Sequence, residues 1–431
     1  MPVRPTRIIA PLAVLALAAC GSAASGAEEL RSEEPYEPAD VSAAPALEDA
    51  VAATSALGTG LVSSTDVAEN RVVSPASVAV ALAMLAEGAD GESLEALEEV
   101  LGASGTERAE TFGALQAAVL AYDGDPAVVQ EDELPEDPVL HLANRIALDD
   151  DFETLVSSDF LDSLARHFDA GTAVADLGSD AGKDVLDAWV EEHTGGLIEE
   201  SAIEPDPTLA LVLQNAIVLA ARWQMPFEDS NTHLVPFTTG TGEEVEVERM
   251  HQTVVAPYAE DDQGQALRLP YSSGFAMDVY FPAPGSDPAA LDASAWDELG
   301  SAVGGDQQSE VNLGLPQLEV RTELGLTDPL SDLGLGDLFE AETADLTGMT
   351  QHAGDGEELF IGQAEHQAVL NVDEEGTVAA AVTELGIGVT SAPAPPEVDM
   401  LIDRPYLVRI VHTETGWPLF LAVINDPSAQ G

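Results

Sequence analysis

The residues of this chain best suited to chemistry are eight histidines, one cysteine and a large surplus of carboxylates. Their spacing builds no catalytic centre. There is no G-x-S-x-G elbow, no phosphate-binding glycine loop and no H-E-x-x-H motif. The runs Asp149-Asp150-Asp151 and Asp123-Gly124-Asp125 lack the ligand spacing of a calcium loop. No histidine stands three or four residues from another, so no ligand-like pair shares a helix face. His366, beside the apolar run Ala368-Val369-Leu370, reads as a satisfied core group. No cofactor and no metal are expected, and the chain does not read as an enzyme.

What stands out instead is a stretch of backbone. Residues 374–383 read EEGTVAAAVT, a glycine and a threonine leading into small side chains. Bulky groups would clash in a segment that must slide between strands already packed, whereas small ones pass. On a strand, Thr377, Ala379, Ala381, Thr383, Leu385, Ile387 and Val389 share one face, small first and then apolar. Val378, Ala380, Val382, Glu384, Gly386 and Gly388 share the other, which puts the charge outward. No proline interrupts the run before Pro393. The pattern suits a loop that becomes a strand.

The elements around it read as α+β. Apolar spacing of three and four predicts helices over residues 47–61, 77–85, 94–101 and 183–193. Strand-like runs follow at 209–219, 245–248, 276–281, 311–320, 406–412 and 418–424, the last two parted by the turn pair Thr415-Gly416. Helices early and strands late imply large sheets, antiparallel or mixed. The acidic segment 123–138 reads as an internal loop insertion.

The N-terminus carries Arg4 and Arg7, then an apolar run over residues 8–19 that is too short to span a membrane as a mature helix. Leu17-Ala18-Ala19-Cys20-Gly21 resembles a bacterial lipobox, so residues 1–20 are expected to be a signal peptide ending at an acylated Cys20. Residues 21–45 read as a flexible acidic tether, and 46–431 as one domain. The expected location is the extracellular face of the cell membrane.

Several segments, in order, resemble the serpin family. Val73-Ser74-Pro75-Ala76-Ser77-Val78 is similar to its SPxS segment. Asn215-Ala216-Ile217 with Arg222-Trp223-Gln224-Met225-Pro226-Phe227 is similar to NAIYFKGxWxxPF. Met250-His251, Leu269-Pro270-Tyr271, Leu315-Pro316 and Asp403-Arg404-Pro405-Tyr406 fall where that family has matching strands. Pro418-Leu419-Phe420 and Asn425 resemble its closing PLFxGxVxNP. The resemblance implies a large central mixed sheet, smaller additional sheets, about eight to nine helices and an exposed reactive loop over about residues 374–398. It further implies a monomeric suicide substrate: a protease cuts the loop, and the loop inserts into the sheet before the acyl-enzyme is hydrolysed.

On the same resemblance, Glu374, Gly376, Thr377, Ala379, Ala380 and Ala381 form the hinge of the loop. Ser74, Ser77, Asn215, Trp223 and His366 line the shutter and breach through which the sheet opens. There are two departures. Gln317 stands where many relatives place a lysine opposite Glu374, so that ion pair is expected to be absent. Val378 replaces an acidic residue, a change an exposed face tolerates. Counting from Gly376 places the scissile bond at Thr390-Ser391, with Val389 and Ala392 as alternatives. No lysine or arginine lies between Gly386 and Val398, which argues against trypsin-like targets. Small apolar side chains suit elastase-like or subtilisin-like serine proteases. Papain-like cysteine proteases and a non-inhibitory binding protein are the alternative readings.

Charge bounds the partners. The chain has 79 acidic against 14 basic residues, a formal net charge of −65, and Lys183 is its only lysine. Such a surface repels nucleic acid and anionic lipid, so a membrane is reached only through a lipid anchor. Self-repulsion penalises compaction unless salt screens it. The composition therefore suits a salt-tolerant protein, since the Debye length falls to about 3 Å at 1 M salt. Raising NaCl to about 2 M should raise the melting temperature. An unchanged melt would remove the salt-tolerance reading.

Overall fold

The computed structural model describes residues 28–131, 133–291, 293–305, 307–350, 359–377, 396 and 398–429. Two large sheets organise them, with strands numbered in chain order. The first runs β1 (Glu28–Leu30), β4 (Thr172–Ala175), β3 (Val139–Asp149), β5 (Leu211–Arg222), β13 (Gly376–Thr377), β12 (Gln363–Val372) and β11 (Leu318–Gly325). The second runs β14 (Val398–Leu401), β10 (Gln308–Pro316), β7 (Glu244–Glu260), β8 (Gly264–Pro270) and β9 (Phe275–Pro282). It continues through β15 (Tyr406–His412), β16 (Pro418–Ile424) and β2 (Arg71–Val73), while β6 (His233–Thr238) pairs with β7.

The periodic segments lie within helices α1 (Leu47–Val62), α2 (Pro75–Ala86), α3 (Gly91–Leu101) and α6 (Asp180–His193). To these are added α4 (Gly105–Leu120), α5 (Ser158–Phe168), α7 (Ala293–Val303) and the short α8 (Thr327–Leu330). α2 is apolar nearly all round, PASVAVALAMLA, and every one of its residues is buried. A helix without a polar face belongs inside. It lies between β3 and β5 of the first sheet and β16 of the second. Pro75 at its first turn and the Ser74 side chain, accepting from Ser77 N–H at 3.2 Å, set where it starts. Its other end is clamped from α4. Arg108 reaches Glu87 at 2.7 Å and Glu98 at 2.8 Å, and donates to the Ala86 carbonyl at 3.2 Å. Removing one partner from a buried ionic set of this kind costs about 3–5 kcal/mol.

β5 reads LVLQNAIVLAAR and is buried along almost its whole length, as a central strand covered on both faces must be. β12 alternates instead. Ala364, His366, Ala368, Leu370 and Val372 point inward, and Gln363, Glu365, Gln367, Val369 and Asn371 are partly exposed. That alternation carries His366 into the core.

Two expectations change. The apolar run 311–320 is not one strand: β10 ends at Pro316, β11 begins at Leu318, and the two belong to different sheets. Proline cannot donate to a ladder, so the break falls there. The acidic segment before residue 46 is not wholly a solvated tether. Glu28–Leu30 pair antiparallel with β4 at the sheet's edge. Arg31 pairs with Asp169, Ser32 bonds Asp162, and Glu37 N–H donates to the Arg166 carbonyl at 2.9 Å. A short strand rich in glutamate is itself a good edge, since its charge discourages further pairing.

Candidate functional site

β5 and β12 are parallel neighbours, but only at one end. Val212 pairs directly with Gln363 and Leu213 with Ala364. At the other end Thr377 of β13 stands between them, opposite both Ala221 and Val372 and antiparallel to each. With strands about 4.8 Å apart, the two are separated there by the width of one inserted strand. The register thus holds β5 and β12 together at one end and one strand apart at the other.

The turn that feeds β13 is made by Asp373. Its Oδ1 accepts from Glu375 N–H at 2.9 Å and Gly376 N–H at 3.1 Å, and its own N–H donates to the Gly376 carbonyl at 3.0 Å. Glycine at 376 is required by space. A β-carbon there would stand 2.0 Å from the Ala221 carbonyl oxygen, which is main chain and cannot move aside. Trp223 fastens the turn from β5's side: its indole N–H donates to the Asp373 carbonyl at 2.9 Å and its backbone N–H to the Glu375 carbonyl at 2.8 Å. Phe227 N–H donates to the Glu374 carbonyl at 2.8 Å. Tyr271 stacks on Trp223 with centroids 4.5 Å apart and planes within 8°, and its hydroxyl hydrogen-bonds Thr377 Oγ1. Thr377 is only 1% exposed.

Glu374 is held although the ion pair is absent. Gln317 Nε2 donates to its Oε2 at 2.7 Å, and Thr232 donates to Oε1. The amide keeps the contact of the expected cation and gives up the charge. Such an amide has no charge to lose energy in salt.

Lower in the sheet, His366 is fully buried. Its Nε2 accepts from the Ser74 backbone N–H at 2.9 Å, and Nδ1 lies 3.1 Å from Asn215 Oδ1. A backbone N–H can only donate, so Nε2 is the bare nitrogen and Nδ1 carries the proton. Burial pulls the imidazole pKa down to about 4, which keeps it neutral. One ring thus joins α2's N-terminus, β5 and β12, just beyond the last directly paired residues. Ser77 is buried too, but its hydroxyl finds no partner among the described residues; its backbone N–H, not its side chain, enters this network. The reading of His366 as a satisfied core group holds.

Ser74, Asn215 and His366 therefore meet, and at the top Trp223 bonds Asp373 and Glu375, in the turn that carries Glu374, Gly376 and Thr377. Ala379, Ala380, Ala381, Val389, Thr390, Ser391, Ala392 and Cys20 lie outside the described residues. Sequence reasoning placed Asp373 in the hinge match without a role in making the turn, and gave no role to Tyr271, Phe227 or Thr232. Tyr271 and Phe227 sat inside quoted motifs, whereas Thr232 carried no signal.

The family model described as Serpin (serine protease inhibitor) matches residues 53–427. Neuroserpin of Gallus gallus is 29% identical over 378 residues, covering 84% of this chain and 87% of its own length. Leukocyte elastase inhibitor of Bos taurus is 30% identical over 378 residues, covering 84% and 94%. Among solved structures, the thermophilic serpin tengpin in its native state superposes with a TM-score of 0.78 at 24% identity, over 93% of this chain and 99% of that one. Thyroxine-binding globulin complexed with thyroxine gives a TM-score of 0.74 at 23% identity, over 89% and 100%.

Asp373 and His366 respond to pH in opposite senses. Burial, assisted by the charges of Glu374 and Glu375, pushes the Asp373 carboxyl up to about 6 against its two N–H bonds. The folded chain then holds a proton that the unfolded chain releases, so this group favours folding more as pH falls from 6 to 4. The contribution of His366 is complete above pH 6.5 and is lost as pH falls toward 4. Asp373→Asn keeps the acceptor oxygen and removes the buried charge. Its melting temperature should exceed wild type at neutral pH, with the advantage vanishing near pH 4. An equal difference at both ends of that range would contradict the assignment.

Proposed function

This chain belongs to the serpin family, and we propose that it inhibits serine endopeptidases as a suicide substrate. The observation that carries the reading is Thr377, a buried small residue paired with β5 and β12 at once. The chain is not itself an enzyme. Its named relatives include inhibitors, among them the bovine leukocyte elastase inhibitor and plasminogen activator inhibitor 1.

In the proposed mechanism the protease's serine oxygen attacks the carbonyl of the scissile residue, which we assign to Thr390 with Ser391 as the leaving amine. The peptide bond breaks and an acyl ester forms. Freed from its C-terminal tether, the segment after Thr377 continues β13 between β5 and β12. Each residue entering gains partners on both sides. Against this stand the direct contacts at Val212–Gln363 and Leu213–Ala364 and the His366–Asn215 bond, which must yield. The absence of a cation near the bond favours proteases with small apolar pockets. We further propose that acylation of Cys20 tethers the protein outside the cell membrane.

Mixing the protein with subtilisin or elastase should give a covalent band that survives SDS, and the mass of the released C-terminal peptide should fix the bond. Cleavage without a complex would instead favour a non-inhibitory role, and a complex formed only with papain-like enzymes would redirect the target class. Thr377→Arg should convert inhibitor to substrate; full inhibition by that variant would defeat strand insertion. Cys20→Ala should shift the protein from the membrane fraction to the soluble one, and retention there would reject the anchor.

A further inference from the structure

Two histidines far apart in the sequence meet where α6 crosses the central sheet. His141 lies on β3, and His193 is the last residue of α6. His141 Nε2 and His193 Nδ1 are 2.9 Å apart, and the two rings lie within 4° of parallel. On its other side, His141 Nδ1 is 2.8 Å from Asp123 Oδ1. A carboxylate accepts, so Nδ1 of His141 carries the proton and its Nε2 lone pair points at His193. The pair borders a cavity of about 500 Å³, which Glu29 and Glu192 also line.

We propose that His141 and His193 form a binding site for a divalent transition-metal ion of the zinc class, with Asp123 as the positioning residue for His141. Carboxylate, histidine and metal in series is the arrangement by which proteins fix a ligand's tautomer and raise its basicity. Imidazole nitrogens bind zinc at about 2.0–2.1 Å, which sets two tetrahedral ligands about 3.3 Å apart. The present 2.9 Å separation needs only a small widening. His193 would move its proton to Nε2, freeing Nδ1, and water or a rotated Glu29 or Glu192 side chain would supply oxygen ligands from the cavity.

Two groups oppose a cation, and Arg31 at the cavity's rim is paired with Asp169. Arg145 lies near His193, but it packs over the Trp189 ring at 5.0 Å and donates to Gln214, and the charges of Glu29 and Glu192 face it. The acidic surface would attract hard cations everywhere; the imidazoles select a softer one. An ion held there would tie α6 to β3.

The full chain is titrated with Zn²⁺ by calorimetry in excess Mg²⁺, which occupies the carboxylates. One Zn²⁺ per chain is expected, together with a raised melting temperature. His141→Gln and His193→Gln, which leave the carboxylates in place, should abolish the binding. Asp123→Asn should weaken it about ten- to hundredfold. Cu²⁺ bound to the wild-type chain should show nitrogen coupling from two imidazoles in its electron paramagnetic resonance spectrum. Heat no greater than the Mg²⁺ background, or a spectrum of oxygen ligands alone, would leave the pair as a plain N–H···N hydrogen bond and overturn the proposal. So would undiminished binding in the two glutamine variants.

Discussion

Between β5 and β12 the direct pairing described ends at Leu213 and Ala364, and just above it the strands are joined through the ring of His366. That ring has two nitrogens and both are committed, one to Asn215 on β5 and one to the first turn of α2. Everything near it depends on the imidazole staying neutral. A proton on Nε2 would set N–H against the N–H of Ser74 in a fully buried site. The clamp of Arg108 on the far end of α2 belongs to the same arrangement, because the helix must present Ser74 at a fixed height under the sheet.

Much of this was legible in the sequence. Small residues at Gly376 and Thr377 suited a packed seam, and both lie buried between β5 and β12, while the rest of the run lies outside the described residues. His366 beside Ala368 and Leu370 announced an inward-facing position, since the period of two carries all three to one face. What could not be read was contact across distance. Nothing local ties Tyr271 to Thr377, Thr232 to Glu374, or His141 to His193; each pair is brought together by sheet topology. The two misread segments have local causes. The apolar run through Leu315 hid a proline at which the chain changes sheets, and the acidic segment around Glu28 lacks the alternation by which a strand is recognised.

The scarcity of cations also shapes the interior. With 14 basic residues in the chain, several arginines serve inside rather than at the surface. Arg268 and Arg409 share Asp278 at 2.6 and 3.0 Å, and Arg404 lies over the Phe281 ring at 3.7 Å while donating to the Pro282 carbonyl. Arginine suits such places because its planar fork stays charged and satisfies several acceptors together. The exterior is left to carboxylates, whose repulsion is a matter for the solvent to screen.

The register around Thr377 has a mechanical meaning. Eight steps down β5 from Ala221, and eight down β12 from Val372, arrive together at Leu213 and Ala364, the nearest residues paired through the backbone ladder. A chain continuing from Thr377 in the same phase reaches that point at Leu385. The seam therefore resembles a zip whose teeth are already aligned: neither side has to slip by a residue, which would turn every side chain to the wrong face. In the mechanism proposed above, the contacts that would have to part are gathered at one stop, Val212–Gln363, Leu213–Ala364 and Asn215–His366.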